Sequence, residues 1–316
     1  MNPFKMPNLA MMMSARISPK DIGKIVDRLE ITPSGNMENI SGEAVSVASV
    51  QVLCKRYESL TDYVIDMNLY VEDAVNRRAQ LIVFPAYTGL LPLSFMPQYD
   101  TALEKLRPRE DTGLPDPHAL NEVLSYYSDY AYETFYTTMS ALAAHHQVFI
   151  MAGSTLLFEE NDLYHRAFLF DDIGECIGYQ DKVSLSPLEQ ELEVEPGAEI
   201  RMFDTIAGPI SIIIAGDAAY YETGRAATGM GARLLLHPTA FTHDYTPVDA
   251  ASGINLRVQE NRVYGIQSVL VGDSGLGFTL EGPSCIFAPN EVVRSKNGIL
   301  EQTSGRFSPD VLCRRL

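Results

Sequence analysis

The chain has 316 residues, 46% of them apolar and 21% charged, enough to bury a substantial core in one large α/β domain or two small ones. Its formal net charge of −17 excludes nucleic acid as a partner, because no basic cluster offsets the repulsion of the phosphate backbone. No run reaches the roughly 18 apolar residues of a membrane-spanning helix, and the stretch around Met11-Met12-Met13 is too short for a secretory signal, so a cytoplasmic protein without a membrane partner is expected.

In chain order, residues 1–44 form an N-terminal extension rich in proline and glycine. It holds one short helix near Pro19 to Leu29, which Ser18-Pro19 suits as a start. From Val45 the pattern becomes regular: Val45 to Val50 alternates like a strand, and Leu60 to Arg78 carries apolar residues at helical spacing. Leu81 to Phe84 is a continuous apolar run bounded by Pro85, which suits a strand buried on both faces. A segment rich in proline and charge then leads to a helix over Pro117 to His146. Strands follow at Val148 to Ala152, Tyr164 to Phe170, Cys176 to Lys182, Ile200 to Asp204 and Pro209 to Ile214. Tyr220 to Met230 reads as helix, Arg233 to His237 as strand and Ser252 to Val263 as helix, with strands Tyr264 to Val271 and Pro283 to Phe287 closing the set. Strands alternating with helices in places and pairing as hairpins elsewhere predict an α/β protein with a mixed sheet, two sheets faced by helices.

Few residues advertise chemistry on their own. Cys54, Cys176, Cys285 and Cys313 lie far apart, without a close ligand pair, and the six histidines show no metal spacing, so no metal and no cofactor are expected. The glycine-rich pieces near Gly229 and Gly272 have no following lysine and form no phosphate loop.

Three segments stand out together: Leu81-Ile82-Val83-Phe84-Pro85-Ala86, Gly178-Tyr179-Gln180-Asp181-Lys182 and Ile212-Ile213-Ile214-Ala215-Gly216-Asp217. In order and spacing they resemble the signature segments of the carbon–nitrogen hydrolase (nitrilase) superfamily. Gly231 to Thr239 and Arg257-Val258-Gln259-Glu260-Asn261 resemble two further passages of that family. The resemblance covers about 45–304, leaves 305–316 as a C-terminal tail, and implies a four-layer αββα sandwich with two mixed sheets.

The family's chemistry needs a cysteine thiolate that forms a thioester, a glutamate base and a lysine that stabilises the oxyanion. The matching positions here read Ala215, Ala86 and Lys182. A methyl group can neither attack a carbonyl nor accept a proton. The resemblance therefore implies a pseudoenzyme that binds a small amide- or carboxylate-like ligand or acts as an assembly subunit. The alternative is an amidase or nitrilase, acting on a non-peptide C–N bond through a cysteine thioester, that has been inactivated at these two positions.

The resemblance places Lys182 in the pocket floor as an anion anchor; on its own it could equally be a strand-end lysine facing solvent. It implies Glu189 as a second glutamate beside Lys182, although Glu189 also suits a helix start, where the dipole favours acid. Tyr87, Tyr220 and His237 are the expected pocket residues, His237 with a satisfied core histidine as its alternative, and Phe95, Tyr221 and Phe241 are further aromatic walls. By analogy with the family, a homodimer or larger homo-oligomer is expected, with Ser308 to Leu316 as an assembling tail.

Overall fold

The computed structural model describes residues 19–29, 44–97, 99–106, 108–242, 245–246, 249 and 253–316. Its helices are α1 (Pro19–Val26), α2 (Leu60–Asn76), α3 (Tyr99–Lys105), α4 (Pro117–His146), α5 (Pro187–Glu191), α6 (Tyr221–Gly229) and α7 (Ile254–Asn261). Its strands are β1 (Ser46–Cys54), β2 (Leu81–Val83), β3 (Phe149–Glu159), β4 (Asp162–Phe170), β5 (Cys176–Asp181), β6 (Val194–Glu195) and β7 (Met202–Thr205). The series continues with β8 (Gly208–Ile212), β9 (Leu234–Thr239), β10 (Tyr264–Asp273), β11 (Thr279–Leu280), β12 (Cys285–Phe287), β13 (Ile299–Gln302) and β14 (Asp310–Arg315). Thr88–Phe95 and Ala215–Ala219 form 3₁₀ helices that the sequence pattern does not announce.

Period-two alternation builds the layers. On β1, Val47 faces one way and Ala48, Val50 and Val52 the other; on β2, Leu81 and Val83 oppose Ile82. The first set meets Ile210, Ile212, Leu234, Leu236 and Ile266 of the other half-sheet in an apolar inner cluster. The second set packs beneath α2 and α4, through Tyr63, Met67, Phe135, Met139 and Leu142. On the far side Ile213 and Leu235 pack under α7 through Ile254 and Val258. The result is the expected αββα sandwich. The strand path runs β5-β4-β3-β2-β1-β10-β9-β8-β7. It turns over at β1, whose Val47–Ser49 pairs with β2 and whose Val52–Cys54 pairs with β10.

Both ends of the chain join this frame. In the expected N-terminal extension, Ile22 and Val26 of α1 are buried in the core with α2 and α4, while 1–18 and 30–43 lie outside the described residues. The expected C-terminal tail is instead integral at 310–315: β14 pairs antiparallel with Ser46–Gln51 of β1 in the same chain. The physical reason is edge satisfaction, since β10 pairs only the far end of β1 and leaves its other backbone groups to be filled.

Candidate functional site

The site lies where β2, β5 and β8 end. After β2 the chain passes Phe84 and Pro85 to Ala86, which is fully buried. Tyr87 then adopts a left-handed conformation (φ 61°), which turns its backbone N–H onto Ser154 Oγ at 3.1 Å. This approach requires Gly153, because a Cβ there would sit 2.0 Å from the Pro85 carbonyl oxygen. A register shift between β3 and β4 at Met151–Ser154 places that glycine and aims Ser154 inward.

Ser154, His165, Glu189 and Lys182 form one buried network. His165 Nε2 lies 2.6 Å from Ser154 Oγ, and His165 Nδ1 lies 2.6 Å from Glu189 Oε1. Burial pushes the imidazole down into its neutral form. The network then fixes its tautomer: Nδ1–H donates to the carboxylate and Nε2 accepts from the Ser154 hydroxyl. The Tyr87 hydroxyl also donates to Glu189 Oε1, at 3.3 Å, and its ring stacks on His165 with centroids 4.6 Å apart. Glu189 Oε2 accepts from the Ser186 N–H at 2.7 Å and from Lys182 Nζ. Burial would push the Glu189 carboxyl up, but the His165 hydrogen bond and the Lys182 charge outweigh it and hold the group well below the usual carboxylate range.

Glu189 thus fills both roles that the sequence left open. It pairs with Lys182, and it closes a capping box in which Ser186 Oγ accepts from the Glu189 N–H. Lys182 is buried, not directed to solvent, and its charge is neutralised by Glu189. The connectivity of Ser154, His165 and Glu189 is that of a nucleophile, base and orienter. However, Ser154 is fully buried and its oxygen already accepts from Tyr87, so the three act as a brace for the carboxylate.

Ala215 stands at the third strand end with φ 44°, a left-handed conformation that costs an alanine about 1–2 kcal/mol. The turn carries the chain over Lys182: a Cβ on Gly216 would lie 3.9 Å from Lys182 Nζ. Asp217 secures it from below, accepting from the Ser184 N–H at 2.6 Å and the Val183 N–H at 3.2 Å. Burial pushes the Asp217 carboxyl up to about 6, against those hydrogen bonds and the Lys182 charge. Gly216 is exposed and Ala215 partly so, which leaves this side of the site open to solvent.

The remaining expected residues divide. Tyr87 belongs to the network. Tyr220 is 54% exposed at the start of α6, with Tyr221 beside it at 59%. His237 is buried in β9, its Nδ1–H donating to the Ile213 carbonyl at 2.7 Å, and burial pushes it down to about 4. A cavity of about 190 Å³ borders Tyr87 and Glu189, and Phe95 and Phe241 are not on its wall. Neither are Ala86, Lys182 and Ala215. Sequence reasoning missed Ser154 and His165. The available signal was His165 in register with Ala167 and Leu169 on the inward face of β4, where a polar group requires a partner. Among the described residues no cluster of His, Cys, Asp and Glu could hold a metal ion, and no helix is long and apolar enough to cross a membrane.

The probable hydrolase YhcX of Bacillus subtilis (strain 168) is 27% identical over 266 residues, covering 82% of this chain and 47% of that protein. An apolipoprotein N-acyltransferase of Geobacter metallireducens (strain ATCC 53774 / DSM 7210 / GS-15) is 29% identical over 126 residues, covering 34% of this chain and 24% of that protein. The chain therefore spans less than half the length of these curated relatives. Among solved structures, an amidase from Nesterenkonia sp. superposes with a TM-score of 0.65 at 21% identity, covering 88% of this chain and 92% of that one. A double mutant of the amidase from Nesterenkonia sp. AN1 in complex with acrylamide gives 0.64 at 20% identity, covering 87% and 92%. At such identity these structures establish the shared fold. The model of the carbon-nitrogen hydrolase family matches residues 46–303, more than four-fifths of the chain, and the chain belongs to the carbon–nitrogen hydrolase (nitrilase) superfamily.

Proposed function

We propose that this chain is a non-catalytic member of its family, with Ala86 at the general-base position and Ala215 at the nucleophile position, that binds a small amide-like ligand over Lys182. The observation that carries the reading is the pairing of a kept frame with missing reactive groups. Ala215 retains a left-handed turn that suits a side chain presented to a substrate, yet offers only a methyl group. Loss of a covalent nucleophile costs about 10⁶ in turnover, and further losses in the same unit add little. Because Glu189 already neutralises Lys182, a neutral amide carbonyl fits the site better than a carboxylate.

The test is a panel of small primary amides, nitriles and matching carboxylates, followed for ammonia release and for binding by ligand-observed NMR. The account expects no release above background, amide binding tighter than carboxylate binding, and weakening of the amide by Lys182→Arg, which moves the donor. Catalysed ammonia release would contradict the reading.

The assembly reading has its own support. Tyr220, Tyr221, Met230 and Leu256 are large exposed apolar residues on or beside α6 and α7, a face that would suit a second copy of the chain. Sedimentation velocity of the chain and of Tyr221→Glu tests it. A dimer that the variant converts to monomer supports this role, and a monomer at all concentrations removes it.

A further inference from the structure

The cavity beside Tyr87 is large for a protein interior. Close-packed cores leave few voids bigger than a water molecule. This one measures about 190 Å³, above the roughly 150 Å³ of an engineered apolar cavity in another protein that stays dry and takes up benzene.

Its wall is mainly leucine, with Leu90, Leu120, Leu124 and Leu156 among the lining residues. Several polar groups on the wall are already engaged. Ser94 Oγ donates to the Leu91 carbonyl and accepts from the Tyr57 N–H. Ser274 Oγ donates to the Phe278 carbonyl and accepts from the Leu276 N–H. The Tyr87 hydroxyl is spent on Glu189. Cys54 adds a thiol that burial, and then Asp273, push up to about 11, so it stays protonated and uncharged. Such a wall rewards hydrocarbon more than it rewards a polar ligand.

The two ends of the cavity differ. Leu124 and the ionised Glu189 are buried and mark its interior, whereas Lys55 and Thr242 are exposed and mark its mouth. A carboxylate carried inward would meet the Glu189 charge. A head group left at the mouth would lie in water near the Lys55 ammonium, which itself pairs with Asp66 at 2.6 Å.

We propose that this cavity is a binding site for a medium-length alkyl or acyl chain, which enters tail first between Lys55 and Thr242 and lies against Leu124 and Leu156. The site is independent of the reading of positions 86 and 215. It uses the Glu189 brace as its inner wall and needs no reacting atom.

The test is titration calorimetry of the whole chain with butanol, hexanol, octanol and octanoate, ligands that carry no amide. The expected result is one site per chain, affinity rising about fourfold per added methylene among the alcohols, and a negative heat-capacity change. Octanoate should bind as well as octanol. Val123→Phe places a ring in the cavity and should abolish octanol binding with little change in Tm. Affinity that does not depend on chain length, or octanol binding unchanged in a folded Val123→Phe protein, overturns the proposal. If that variant does not fold, peptide-mapped maleimide labelling of the unmodified chain decides. Octanol should slow labelling at Cys54 and leave Cys313 unchanged; equal rates at Cys54 with and without octanol overturn the site. None of these readouts involves ammonia release or amide binding, so this proposal and the functional reading can fail separately.

Discussion

The lysine half of the site and the alanine half are built differently. Around Lys182 each polar atom has a partner: Glu189 receives donors from His165, Tyr87, Ser186 and Lys182, and His165, Lys182 and Glu189 are buried. Around Ala215 the backbone holds a strained turn at the edge of solvent and its side chain makes no hydrogen bond. A buried charge must keep its partners or unfold the region. A reactive group on an open turn can be lost without cost to the fold, and even its strained backbone can persist, because Asp217 and the strands hold the turn from outside. The contrast teaches that stability holds the buried lysine–carboxylate pair in place while leaving a strand-end position beside solvent, such as 215, free to change; the fully buried Ala86 stands outside this contrast.

Substitutions can break this comparison, starting with the largest expected effect. Glu189→Ala leaves the Lys182 ammonium buried without compensation and should cost about 3–5 kcal/mol in denaturant unfolding. A loss below about 1 kcal/mol would mean that the lysine swings out to solvent and that the buried half is not braced as described.

Asp217 sharpens the comparison through pH. Its folded-state value of about 6 lies above the ordinary 3.8, so the folded chain binds this proton more tightly than the unfolded chain does. The resulting penalty is absent below about pH 4 and complete above about pH 6, and the interval corresponds to about 3 kcal/mol. Stability of Asp217→Asn relative to the parent should therefore rise by up to that amount between pH 4 and 6. A flat difference curve would place the carboxyl in a better solvated setting.

His165→Ala removes one donor to Glu189 and leaves the Ser154 hydroxyl without its acceptor, for about 1–3 kcal/mol. Equal stability of variant and parent would remove the histidine from the brace. The smallest effect belongs to the open half. Ala215→Gly relieves about 1–2 kcal/mol of left-handed strain, but it adds about 0.5–1 kcal/mol of unfolded-state entropy and removes a methyl packed against the inner core, so the net change should stay within about 0.5 kcal/mol of zero. A clear destabilisation would show that the packing of the methyl group outweighs the strain of the turn.

The strands were legible, β1 from the alternation of Val45 to Val50 and β2 from its continuous apolar run, and the four layers through the family resemblance; which of Leu81 and Ile82, or of Leu234 and Leu235, faces which layer is set by the pairing of the sheets. Lys182 and Glu189 were legible through the family pattern, and Ser186 three residues before Glu189 signals a capping box. The brace was not, because Ser154 and His165 meet only after β3 and β4 pair across a register shift. The left-handed turn at Ala215 was equally hidden, since alanine carries no local preference for it. The place of 310–315 in the sheet depends on pairing with β1 from the opposite end of the chain, which local pattern does not encode. His237 was read as either a pocket or a core residue, and its bond to Ile213 makes it a satisfied core group.

The central claim is that the frame of the site is intact and only its reactive groups are missing. It is tested most directly by ammonia release from small amides with the unmodified chain beside an Ala86→Glu, Ala215→Cys double variant. The account predicts no activity in the first and measurable, cysteine-dependent activity in the second. Activity in the unmodified chain, or a folded double variant that neither releases ammonia nor forms a thioester, would contradict it.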